Sequence, residues 1–168
     1  PRRMSNKFVV VIDPGHGGKD PGAAHHGAVE KTIVLAASKT LRDILAADPR
    51  YDVRLTRSDD TFIELEDRVT KARNWDADLF ISVHADAAGS ATVEGASVYT
   101  ISQRGEARVD IEARDNNWDL PIEDGGSKEV SGILTALLKR ETKTISEEFA
   151  ARLLPELAKA GPVVRNTH

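Results

Sequence analysis

The stretch VVVIDPGHGGKDPG, residues 9–22, decides how this chain is read. Four β-branched residues run without alternation into Asp-Pro-Gly. A short, continuous apolar run closed by a Pro-Gly turn is the pattern of a strand buried on both faces, as in the middle of a parallel sheet. Residues 7–13 are therefore predicted as a central strand. The strand is expected to end by presenting Asp13 and His16 on a glycine-rich loop that cannot hide them.

Outward from this stretch the rhythm is strand, helix, strand, helix, strand. Ile33, Ala37, Leu41, Ile44 and Leu45 form an apolar stripe at helical spacing over residues 30–47, and Pro49 helps to stop it. YDVRLTR (51–57) reads as a second strand. Leu65, Val69, Ala72 and Trp75 mark a second helix, and ADLFISVHAD (77–86) a third strand that turns polar at His84. VEGASVYT (93–100) is expected to add a fourth. Such alternation predicts an α/β domain with a twisted, mainly parallel (mixed) sheet flanked by helices. Residues 102–118 are charge-rich and read as a weak helix, and 121–129 as a linker. A long helical pattern follows over 130–158, with Pro155 expected to kink it or mark its last turns.

Composition narrows the function classes. A chain of 168 residues is long enough for one domain with a substantial core. The net charge of -4 lacks the basic footprint of a duplex binder, and aromatics at 5% give little stacking surface for single strands, so no nucleic-acid partner is expected. No apolar run is long enough to span a membrane. With no cysteine there can be no disulfide, thiolate nucleophile or Cys-type zinc site.

Chemistry-bearing residues gather at the predicted C-terminal ends of strands, where open α/β sheets place their ligands. His16 follows the first strand, Glu30 opens the next helix, and His84 ends the third strand with Asp86 two residues on. Two histidines and a glutamate suit a divalent zinc ion that keeps one position open for water. Each residue also has an ordinary reading. A rim histidine can simply hydrogen-bond, and a glutamate in a first helical turn is favoured by the helix dipole. His25 and His26 are rival ligands in a more solvent-facing stretch. Glycines 15, 17, 18 and 22 would let the loop approach an ion or substrate closely. GHGGKD is not a Walker loop, because positions 13 and 20 are both Asp. GxGxxG, HExxH and GxSxG are absent.

The segments VVIDPGHGG, KTIVLAASKTLRDIL, VRLTRSDDTFIELEDRVTKARNWDADLFISVHADA and EGASVYT together resemble the zinc-dependent N-acetylmuramoyl-L-alanine amidases, in particular the catalytic domain of bacterial division amidases. The resemblance covers residues 7–168 and implies Zn2+ held by His16, Glu30 and His84. It implies hydrolysis of the amide between N-acetylmuramic acid and the L-alanine of the peptidoglycan stem, in the periplasm, during daughter-cell separation. It further implies an inserted regulatory helix and linker at 102–129, with Asp115 or Glu112 plugging the zinc until a LytM-domain activator withdraws it. A monomer is expected. Arg57 and Arg68 fall on family arginines expected to pair with carboxylates such as Asp59 or Asp67, and Asp86 on an acidic or amide position beside the third ligand.

The family continues into a strand whose glutamate serves as general acid and base. Nothing after VVRNTH supplies it, so the sequence given is expected to stop short of that segment and to turn over weakly by itself. The competing reading is a non-catalytic peptidoglycan-binding or scaffold domain on the same fold.

Overall fold

The structure, a computed structural model, describes residues 7–25, 27–85, 94–100 and 128–163, with side chains from 142 onward in the last segment. The chain divides into two compact units, Pro1–Gly89 and Ser90–His168.

The first unit is built around β1 (Phe8–Pro14). It lies between β4 (Tyr51–Leu55) and β5 (Leu79–Val83) in a three-stranded sheet of order β4-β1-β5, parallel throughout. Val10 pairs with Val53 on one side and Leu79 on the other, and Asp13 stands opposite Ser82. Every residue of β1 from Val9 to Pro14 is buried, as its unbroken apolar run predicts. The strand extends one residue beyond the predicted limit. Asp13 is consequently not on an exposed loop: it is 4% accessible and belongs to the sheet.

Two helices cover this sheet. α1 (Glu30–Ala46) packs on β1 and β4. α2 (Leu65–Asn74) brings Ala72 against Val9 and Val11, with Trp75 and Ala77 beside them. Side chains alternate along a strand, so Asp13 shares a face with Val9 and Val11, the face that α2 covers. Arg68, one helical turn before Ala72, is the other buried residue of α2. A two-strand antiparallel ribbon, β2 (Ala24–His25) with β3 (Ala28–Val29), precedes α1 and has no counterpart in the sequence reading.

The buried line of α1 differs from the predicted stripe. It runs through Glu30, Val34 and Ser38, while Ile33 and Ile44 are 46% and 66% exposed. The first turn explains the rotation. Two of its free N–H groups are taken by the loop before it, Glu30 donating to the Ala23 carbonyl (2.8 Å) and Lys31 to that of Pro21 (3.1 Å). Those bonds fix the helix with Glu30 facing inward, although apolarity alone would favour Ile33.

In the second unit, α3 (Lys128–Ala160) continues through Pro155, which lies in its final turns. The expected strand over 93–100 does not form among the described residues 94–100. There Ala96 makes one parallel bridge to Val163, donating to the Pro162 carbonyl at 2.9 Å. Proline has no N–H to continue such a ladder. The predicted helix over 102–118 and linker over 121–127 lie outside the described residues.

Ser38 is fully buried, and its hydroxyl has no hydrogen-bond partner among the described residues. Ser38→Ala removes an unsatisfied buried group and should raise unfolding stability by about 1 kcal/mol in urea titration. A loss of stability would show that the hydroxyl is bonded.

Candidate metal centre

The three residues singled out from sequence converge. His16 lies two residues past β1, Glu30 is the first residue of α1, and His84 directly follows β5. One ligand atom from each can be chosen so that all three lie within 4.8 Å of one another. Among the described residues no other cluster of three or more His, Cys, Asp or Glu does this. Glu30 Oε1 is the meeting point, standing 3.1 Å from His16 Nε2 and 3.1 Å from His84 Nδ1. The two rings are 5.0 Å apart and nearly perpendicular.

Glu30 does more than decorate a helix start. Its Oε2 accepts the Ala23 amide (2.8 Å) and its Oε1 the Ala85 amide (2.9 Å), so both oxygens are oriented by backbone. Burial by itself would raise the pKa of this carboxyl. The Ala23 and Ala85 amides, followed by the His16 and His84 rings, outweigh burial and hold it below its ordinary value. The group is therefore a fixed anion at neutral pH.

Asp20 has a role that the sequence reading missed. Its Oδ2 is 2.8 Å from His16 Nδ1, and its Oδ1 accepts the Gly22 amide at 3.1 Å. The His16 bond first, then the Gly22 amide, lowers the Asp20 pKa. A carboxylate on Nδ1 assigns the ring's N–H to that nitrogen and leaves Nε2 with its lone pair. Nε2 lies 3.1 Å from Glu30 Oε1, itself an acceptor. A metal ion shared by two acceptors so close would offset their repulsion. The spacing fits a metal. Ligands about 2.1 Å from a tetrahedral ion stand about 3.4 Å apart.

The glycines serve the ligands themselves. A Cβ on Gly15 would lie 2.3 Å from the His84 ring, and one on Gly22 2.6 Å from both Glu30 Oε2 and the His16 ring. Their bare backbones leave room for the converging side chains. His25 is exposed on β2 and is not part of the cluster. His26, Asp86, Glu112 and Asp115 lie outside the described residues.

Arg57 and Arg68 are buried, but their partners differ from those expected. Arg68 Nη1 pairs with Asp13 Oδ1 at 2.9 Å, and neither Asp59 nor Asp67 takes that place. Arg57 donates to main-chain carbonyls, that of Asp59 included. Asp13 could take Arg68 because the strand buries its carboxylate on the α2 face. Local sequence spacing does not show that.

Comparison with known proteins bears on the family to which the chain is similar. Residues 10–168 match the family described as N-acetylmuramoyl-L-alanine amidase. The chain is 50% identical over 105 residues to N-acetylmuramoyl-L-alanine amidase AmiA of Escherichia coli, covering 62% of this chain and 36% of that protein. It is 35% identical over 163 residues to AmiC of Neisseria meningitidis, an amidase of the same name, covering 94% and 39%. The solved catalytic domain of CwlV, an N-acetylmuramoyl-L-alanine amidase from Paenibacillus polymyxa, superposes with a TM-score of 0.55 at 41% identity, over 64% of this chain and 61% of that one. The chain thus spans little more than a third of the length of these curated relatives.

The close approach at Gly15 can be tested without any metal. In wild-type protein, nuclear Overhauser effects should connect ring protons of His16 and His84. In Gly15→Ala, which keeps a φ open to alanine, the His84 ring must move and those effects should vanish with the fold retained. Persistence of the ring contacts would contradict the packing.

Proposed function

This chain belongs to the N-acetylmuramoyl-L-alanine amidase family, and from that premise we propose that it carries the zinc site of an enzyme cutting peptidoglycan. The bond hydrolysed is the amide between N-acetylmuramic acid and the L-alanine of the stem peptide. The observation that carries the reading is the pair of imidazole nitrogens gathered at one backbone-oriented carboxylate oxygen, each 3.1 Å away.

His16, Glu30 and His84 would hold the ion, a His₂Glu set of the kind that leaves zinc a position for water. When bound, zinc supplies Lewis acidity toward the scissile carbonyl and lowers the pKa of a coordinated water. Glu30, held ionised by two amides, neutralises part of the ion's charge. Asp20 keeps His16 in the tautomer that presents Nε2. His84, with 44% of its side chain accessible, places the cluster at the surface, which suits a polymeric substrate better than a closed cavity would.

The same reading carries finer proposals: action in the periplasm during daughter-cell separation, a monomeric enzyme, and restraint by residues 102–129 until a LytM-type activator binds. Their support is the resemblance of the sequence and the charge-rich character of 102–120. Activation of this kind requires an activator that prefers the open state.

Three outcomes are expected. Zinc-supplemented protein should carry close to one equivalent of zinc by elemental analysis, and Asp20→Asn should weaken zinc binding by about 10- to 100-fold without unfolding. The full-length protein should release stem peptides with free L-alanine amino termini from purified peptidoglycan, an activity lost in folded His84→Ala. Zinc-loaded protein that binds peptidoglycan but releases nothing would favour the scaffold reading. Removing residues 103–120 should raise basal release, and unchanged or lower release with a retained fold would contradict the restraint.

A further inference from the structure

Three consecutive carbonyls, those of Pro14, Gly15 and His16, carry the chain off β1 and into the site. All three are taken by two guanidinium groups. The Pro14 carbonyl accepts from Arg57 Nε (3.0 Å) and from Arg68 Nη1 (2.9 Å). That of Gly15 accepts from Arg57 Nη2 (2.6 Å), and that of His16 from Arg68 Nη2 (2.8 Å). The arginines come from different elements, Arg57 from the segment after β4 and Arg68 from α2.

Arg57 Nη2 also donates to the Lys31 carbonyl at 3.0 Å. A single nitrogen thus ties the residue before His16 to the residue after Glu30. Arg68 is tied back to Asp13 and, through Nε, to the Ile63 carbonyl at 3.0 Å. Its outer nitrogen reaches His16 at the point where the backbone is least comfortable. His16 has φ +59°, the left-handed region that costs a side-chain-bearing residue about 1–2 kcal/mol. Such a conformation persists only where its surroundings over-determine it. The two charges are also costly neighbours. Burial, and then the like charge of Arg68, lowers the Arg57 pKa.

We propose that Arg57 and Arg68 are positioning residues for the metal site: by gripping the carbonyls of residues 14–16 they hold His16 left-handed and set its ring against Glu30. The inference rests on the zinc reading above. The planar, multi-donor fork of arginine is essential to it, since lysine keeps the charge but cannot reach several fixed carbonyls at once.

Arg68→Lys and Arg57→Lys test this while leaving Asp13 a buried cation. Val9→Ala, a cavity in the core at the opposite end of β1 from the loop, serves as the control for simple destabilisation. Three quantities are read for each variant at a temperature where circular dichroism shows it fully folded. They are the melting temperature without metal, zinc affinity by chelator competition, and the visible d–d spectrum of the cobalt-loaded protein. Both lysine variants should weaken zinc binding by at least about tenfold and alter the cobalt spectrum. Val9→Ala should lower the melting temperature and change neither.

Lysine variants with wild-type affinity and spectrum would overturn the proposal, as would equal weakening in Val9→Ala at a matched loss of melting temperature. Should Arg68→Lys fail to fold, the same comparison on Arg57→Lys decides. Wild-type protein that takes up neither zinc nor cobalt would instead overturn the zinc reading, and this inference with it.

Discussion

The buried ion pair between Asp13 and Arg68 is the constraint on which the first unit depends. Asp13 is the last polar residue of the central strand, and it accepts from three directions. Thr56 donates at 2.5 Å, Arg68 at 2.9 Å and Ser82 at 2.9 Å. Those residues belong to the end of β4, to α2 and to β5, so one carboxylate joins every layer on that face. Removing one partner from such a pair costs about 3–5 kcal/mol, because the other charge is left without compensation. The expense is tolerable here because each of the three guanidinium nitrogens of Arg68 has an acceptor.

From that hub the geometry of the site follows. The sheet brings the ends of β1 and β5 side by side, and α1 delivers Glu30 between them. Strand ends alone would not aim three side chains at one point. The amides of Ala23 and Ala85 orient the glutamate, Asp20 orients His16, and the bare backbones of Gly15 and Gly22 make the space. Lys31 ties the same loop from outside, donating to the Gly18 carbonyl and to Asp60, which in turn accepts the Gly18 amide. The loop is thus held along its length.

The architecture was legible because β1 is apolar from Phe8 to Ile12 and strand and helix patterns alternate along the chain. The candidate ligands were legible because a histidine at the end of an apolar strand has no packing purpose. What the sequence did not show were pairings across the chain. Asp13 and Arg68 are 55 residues apart, and only the alternation of β1 and the rotation of α2 bring them together. The buried face of α1 was misplaced because backbone bonds at its first turn, which no periodicity records, set its rotation. Asp20 could have been found as a carboxylate four residues after His16. Its contact depends on the tight Gly17–Asp20 turn, closed by reciprocal backbone bonds of 2.9 and 3.0 Å. The ribbon at 24–29 escaped because two-residue strands carry too few side chains to display alternation.

Zinc K-edge X-ray absorption on the zinc-loaded protein reads the donor set most directly. Two imidazoles and one or two oxygens at about 2.0–2.1 Å are expected, in a four- or five-coordinate shell. A shell of oxygens alone, or one containing no more than a single imidazole, would contradict the convergence of His16, Glu30 and His84 on one ion.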